Sequence, residues 1–216
     1  MTPGHIALLG DSIFDNGAYT AGAPDVVTHL RSLLPAGWRA SLVAVDGSTT
    51  SSVPAQMSRV PADATHLVLS VGGNDALENS DLLASVVGPT TEALGLFDER
   101  VSQFEQNYRA ALERVLQLRK TTAVCTIYNG NLAPSEVRLA RIALMLFNDA
   151  ILRVACEHAL PVLDLRLICT EPADYANPIE PSGQGGRKIA LGIAGMLGLL
   201  ASPARSSRVY GGSGSE

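Results

Sequence analysis

His5-Ile-Ala-Leu-Leu-Gly-Asp-Ser-Ile-Phe-Asp-Asn-Gly17 opens with a short apolar run that stops at a glycine. A run of that length, closed by Gly10, reads as a buried strand of an α/β protein. Strand and turn deliver Asp11 and Ser12 to the following loop, and Gly17 permits a further change of direction. Ligands of open α/β sheets sit beyond the carboxyl ends of the strands. Ser12 is therefore a candidate nucleophile, against the plainer reading in which it only begins the next segment.

Outward from this stretch, helical and strand patterns alternate. Pro24–Leu34 has the apolar spacing of a helix, and Arg39–Val45 is a second strand. The polar loop Asp46-Gly47-Ser48-Thr49-Thr50 follows it, then a short helix over Val53–Arg59. A third strand, His66–Val71, ends in Gly72-Gly73-Asn74-Asp75. Ser80–Val87 reads as a short helix broken by Gly88-Pro89. Asp98–Lys120 is a long charged helix, and Thr121–Ile127 a fourth strand. Pro134–His158 is a second long helix with Ser135 as its cap, and Pro161–Leu165 a fifth strand. Ser182 caps a glycine-rich helix reaching about Leu200. The alternation predicts one three-layer α/β/α domain over residues 1–201, built on a five-stranded parallel doubly wound sheet. Residues 202–216, polar and glycine-rich, read as a flexible tail.

Composition excludes several functions. The 216 residues are 46% hydrophobic and 17% charged, which suits a globular domain with a sizeable core. A formal net charge of -5 offers no basic stripe to nucleic acid. The longest apolar runs, Ala140–Phe147 and Ile189–Ala201, are too short to span a bilayer. Cys125, Cys156 and Cys169 have no metal or redox spacing and read as buried free thiols. With Met1-Thr-Pro-Gly leading straight into the first strand, they favour a cytoplasmic protein. Gly183–Lys188 lacks the spacing of a phosphate loop and reads as a closely packed helix start. No cofactor or metal is implied.

The chemistry collects in three loops. Asp11-Ser12, Gly47-Ser48 and Gly73-Asn74-Asp75 each follow a strand, and a parallel sheet brings such loops to one edge. Acyl transfer needs a nucleophile and donors aimed at the developing oxyanion, each worth ~3–4 kcal/mol. The Ser12 N–H, the Gly47 N–H and the Asn74 amide make such a set.

Gly10-Asp11-Ser12, Gly47 and Gly72-Gly73-Asn74-Asp75, in this order, resemble the blocks of the SGNH hydrolases, the GDSL esterase/lipase superfamily. The resemblance runs from residue 5 to about 200. It implies a flavodoxin-like α/β/α fold and a small-molecule ester as substrate, with Ser12 as nucleophile and Ser12, Gly47 and Asn74 as the oxyanion hole. The last block of that family is Asp-x-x-His-Pro-Ser, whose His is the base. Here it reads Asn177-Pro178-Ile179-Glu180-Pro181-Ser182, with Glu180 at the His position and Asn177 at the Asp position. His5 and His66 begin strands, at the edge opposite Ser12. His29 lies within the first helix and His158 at the end of a later one, so none is well placed as base.

A carboxylate can replace imidazole if its proton affinity rises. Burial, or a neighbouring carboxylate such as Asp11 or Asp174, raises that of Glu180. The helix start after Ser182 opposes this by only ~0.3–1 kcal/mol. The expected enzyme is a serine esterase with Ser12 as nucleophile, Glu180 as base and Asn177 orienting the carboxylate. An acyltransferase using the same residues is its variant. The alternatives are a catalytically silent relative that binds a small ester, sugar or lipid, and an interaction module. The loops Ala18–Pro24, Glu78–Leu96 and Asn129–Pro134 are expected to shape the substrate pocket.

Overall fold

The structure, a computed structural model, describes residues 3–200 together with 206, 207 and 209. Five parallel strands form one sheet in the order β2-β1-β3-β4-β5. They are β1 His5–Gly10, β2 Arg39–Leu42, β3 His66–Ser70, β4 Thr121–Cys125 and β5 Val162–Leu163. The chain steps from β1 to β2 on one side, then returns to β3 on the other. The carboxyl ends of β1 and β3 thus flank the switch point at which open sheets bind ligands.

The strand β1 is buried along its whole length, and its alternation divides the core. Ile6 and Leu8 pack with α1 (Val26–Leu33) and α6 (Gly183–Met196) on one face. Ala7 and Leu9 pack on the other against α4 (Thr90–Leu116) and α5 (Val137–Glu157). There the Phe104 and Phe147 rings lie 5.0 Å apart. Two shorter helices, α2 (Val53–Gln56) and α3 (Gly73–Glu78), follow β2 and β3. This is the three-layer α/β/α arrangement expected from the alternation.

Several boundaries differ from the sequence reading. The helix expected from Asp98 starts at Thr90, directly after Pro89, because the Glu92 carboxylate accepts the Gly88 N–H at 2.9 Å and organises the first turn. α5 starts at Val137, and Ser135 does not cap it; Glu136 and Val137 donate to the Ala133 carbonyl in a tight turn instead. The expected helix at Ser80–Val87 is a 3-10 turn over Ser80–Ala84. Ser182 does cap α6, accepting from the Gly185 N–H at 3.2 Å. A Cβ on Gly185 would stand 2.1 Å from the Asp174 carbonyl oxygen, so glycine is required where α6 meets that loop. Cys125 and Cys169 are buried, but Cys156 is exposed, because it falls on the outer side of α5. The expected flexible tail falls largely outside the described residues. Among these, no helix is long and apolar enough to cross a membrane.

The end of β1 is held by a side chain. Beyond Leu42 the second strand veers away, and Val45 N–H alone still reaches the Gly10 carbonyl, at 3.0 Å. Gln56 fills the gap: its Oε1 accepts the Gly10 N–H at 2.9 Å and its Nε2 donates to the Gly10 carbonyl at 2.7 Å. Gln56 is buried and acts as one residue of a missing strand. Gln56→Leu leaves the Gly10 N–H without a partner, at a cost of ~1–3 kcal/mol, while the Gly10 carbonyl keeps the Val45 N–H. The expected outcome is a loss of roughly 1–3 kcal/mol in urea unfolding, seen as a lower midpoint at unchanged slope.

Candidate active site

Ser12 follows β1 in a tight turn: Phe14 and Asp15 N–H donate to the Asp11 carbonyl, both at 3.1 Å. The Ile13 N–H donates to Asp11 Oδ1 at 3.1 Å. Gly10, at φ 123°, makes the turn possible. A Cβ there would lie 1.7 Å from the Ser70 carbonyl oxygen, which accepts the Asp11 N–H at 3.1 Å. β1 and β3 therefore touch backbone to backbone just before Ser12.

The second and third loops are tied to each other and to this turn. Asp75 accepts from the Thr50 N–H at 3.0 Å and from the Thr50 hydroxyl at 2.5 Å. Asn74 Nδ2 donates to the Ser48 carbonyl at 2.9 Å, leaving its second amide proton free. Gln56 Nε2 also reaches Ser48 Oγ, at 3.2 Å. Among the described residues, neither the Ser12 N–H nor the Gly47 N–H donates a hydrogen bond.

Glu180 arrives from the far end of the chain. Asn177 Oδ1 accepts the N–H groups of Ile179 and Glu180, both at 2.9 Å, and the Tyr128 hydroxyl donates to the Ile179 carbonyl at 2.5 Å. Asn177 therefore shapes the backbone of this loop and is not hydrogen-bonded to the carboxylate. Glu180 is only 7% exposed, like Ser12, and its Oε2 is buried with no hydrogen-bond partner.

Ser12, Asn74, Asp11 and Glu180 line one cleft of about 500 Å³. Gly47 lines a smaller depression beside it, with Ser48 and Gln56. The cleft walls come from the Asn74–Ala84 segment, from Ser135 and Glu136 before α5, and from the first half of α5 as far as Phe147. Ala18–Pro24 is not among its lining residues, contrary to expectation. The α5 wall, formed by Leu139, Ala140, Ala143, Leu144 and Phe147, was missed by sequence reasoning.

The electrostatics are those of crowded acids. Burial raises the proton affinity of Glu180 above the usual carboxylate range; the nearby Ser12 hydroxyl favours the ionised form, and Asp46 adds repulsion. Burial likewise pushes Asp11 up to about 8, against the Ile13 N–H, with Glu180 and Asp75 repelling its charge. Asp174 plays no such part. It is fully buried, but Lys188 at 2.8 Å, the Glu171 N–H and Gln184 outweigh burial and hold it below the ordinary value. It fastens α6 to the preceding loop. The repelling neighbour is Asp46, which the sequence reading did not single out.

None of the four histidines lines the cleft. His5 binds Asp63 and Ser41, His66 stacks at 5.1 Å on Trp38, and His29 Nε2 meets the Gly183 carbonyl at 3.0 Å. His158 closes the carboxyl end of α5. Among the described residues no cluster of His, Cys, Asp or Glu could hold a metal ion.

Residues 8–188 match the GDSL-like lipase/acylhydrolase family. A search of curated protein sequences gave no match. Solved structures share the fold at low identity. A lipase from a goat rumen metagenome superimposes with a TM-score of 0.70 at 19% identity, over 89% of this chain and 97% of that one. A catalytic mutant of an acetylxylan esterase from Geobacillus stearothermophilus gives 0.67 at 19%, over 95% and 100%. Phospholipase A1 from Streptomyces albidoflavus gives 0.63 at 18%, over 91% and 99%.

The raised Asp11 affinity has a thermodynamic consequence. The folded protein holds that proton more tightly than the unfolded chain, so its contribution is full at acid pH and is lost as pH climbs from 3.8 to about 8. Asp11→Asn keeps an acceptor for the Ile13 N–H and removes the ionisation. A melting series from about pH 4 to pH 9 is expected to show a flatter profile for the variant, and a higher Tm than wild type above about pH 8.

Proposed function

The chain belongs to the GDSL-like lipase/acylhydrolase family, a family of ester hydrolases, and from that premise we propose that it cleaves carboxylic esters through an acyl-Ser12 intermediate with Glu180 as general base. The observation that carries this reading is the unpartnered, buried Glu180 Oε2 in the cleft that Ser12 also lines.

In the first half-reaction the Ser12 Oγ attacks the ester carbonyl carbon as its proton passes to the Glu180 carboxylate. The carbonyl oxygen takes the charge, facing the free N–H groups of Ser12 and Gly47 and the second amide proton of Asn74. Collapse of the tetrahedral species breaks the bond to the leaving alkoxide, which takes the proton from Glu180. In the second half, water gives a proton to Glu180 and attacks the acyl carbon. The acid leaves, and the proton returns to Ser12 Oγ.

A base must be ionised to accept a proton, yet basic enough to want one. An ordinary glutamate near pKa ~4.3 is too weak a base for a serine hydroxyl. Burial and Asp46 move Glu180 in the useful direction. Asp11, neutral below about 8, adds no second charge to the cleft at neutral pH. Asn177 supports the base indirectly, by fixing the backbone turn that carries it.

Short p-nitrophenyl esters and a fluorophosphonate probe test the reading. Ser12→Ala is expected to abolish labelling and turnover. Glu180→Gln is expected to lower kcat/KM by about 10²–10⁴-fold, the range of a lost general base, while leaving the fold intact by circular dichroism. Wild-type kcat/KM is expected to rise with pH through one ionisation lying above the ordinary glutamate range. Unchanged turnover in Glu180→Gln would remove it as the base. Absence of both labelling and turnover in the wild type would favour the silent binding protein.

A further inference from the structure

The acyl group is legible in the walls of the cleft, and we propose that the substrates are esters of linear apolar acyl chains, of octanoyl length or longer, with the alkyl chain lying between the segment after α3 and the first half of α5. This rests on Ser12 being the nucleophile in that cleft.

Asp11, Asn74 and Glu180 line the cleft together with Ser12. Leu77, Leu83 and Phe97 form one wall and Leu139, Ala143 and Phe147 the other. Leu77 is 45%, Leu83 44% and Leu139 56% exposed, so large apolar side chains line the cleft without protein to cover them. An alkyl chain covers such surface; a sugar would leave hydroxyls unpaired against it. Two of the polar side chains lining the cleft, Thr126 and Asn79, are already committed to partners. Thr126 donates to Asp164 at 2.9 Å, and Asn79 donates to the Asp75 carbonyl at 2.8 Å and accepts from Arg100 at 3.0 Å. The volume, about 500 Å³, is that of a site for a drug-sized ligand, far beyond what an acetyl group fills. Room along the α5 wall depends on two small residues, Ala140 and Ala143, which line the cleft one turn apart.

The test compares p-nitrophenyl acetate, butyrate, octanoate and decanoate with the full chain and with Ala143→Trp and Ala140→Phe. Wild-type kcat/KM is expected to rise at least about tenfold from butyrate to octanoate, well inside a ceiling of about fourfold per buried methylene. Ala143→Trp is expected to remove most of that gain, read as the ratio of octanoate to butyrate kcat/KM, with folding checked by circular dichroism. Ala140→Phe provides a milder block of the same kind. Acetate as the fastest substrate, or equal losses on butyrate and octanoate in both variants, would overturn the proposal. If no ester of any length is hydrolysed, the Ser12–Glu180 reading has failed, and the acyl site is then judged by binding. The fluorescent fatty acid cis-parinaric acid is expected to bind wild type and Ser12→Ala alike and to be excluded by Ala143→Trp; absence of binding to wild type would overturn the acyl site as well.

Discussion

Gly10 is where the architecture is most constrained. The backbone at the end of β1 lies against the Ser70 carbonyl with no room for a side chain, and on its other flank the departing β2 leaves Gly10 to be gripped by the Gln56 amide. A primary amide presents one donor and one acceptor in the spacing of a peptide group, so it can complete a ladder that the neighbouring strand abandons. Because Gln56 also reaches Ser48, and Asn74 donates to the carbonyl of the same residue, the three loops after β1, β2 and β3 form one hydrogen-bonded unit. Asp75 and Thr50 close it from behind. Such a buried network is stabilising only when every member finds a partner, which is why its residues act together.

On the mechanism proposed above, a carboxylate at this rim takes the part of an imidazole. The two groups solve the same problem from opposite sides. Imidazole has the right affinity for a proton in water and needs only orientation; a carboxylate must be taken out of water before it holds a proton well enough. The cleft supplies that environment with apolar walls and with Asp46 nearby, while the nearest lysine of the α6 start, Lys188, is spent on Asp174 and Glu171. Keeping cations away from Glu180 matters as much as burying it, since an adjacent ammonium would return its affinity to that of a surface glutamate.

The strand-and-helix alternation and all five strands were legible because buried parallel strands are short unbroken apolar runs between glycine-rich loops. That Ser12 and Asn74 share one cleft was legible because each closely follows a strand, whereas Glu180 was marked by its place in the last block of the resembled family. What escaped was long-range. Nothing local in Gln56 marks it as a partner of Gly10, and nothing in Asp46 marks it as a neighbour of Glu180; both depend on how loops fold over the sheet edge. Asn177 was assigned to the carboxylate by its place in that block and Asp174 by its nearness in sequence, whereas the chain uses one to make a turn and the other to anchor a helix. The α5 wall was hidden for another reason: a helix that lines an open cleft has the same apolar spacing as one that packs on a core.

The placement of the histidines reaches beyond the question of which group is the base. On the proposed mechanism, the ionisations that govern the site belong to carboxyl groups and not to imidazole. A carboxyl group loses its proton with almost no heat, whereas an imidazolium absorbs a good deal. The acid limb of such a site therefore stays nearly still on the pH axis when the temperature changes, so warming speeds the chemistry without retuning the fraction of molecules in the reactive ionic form.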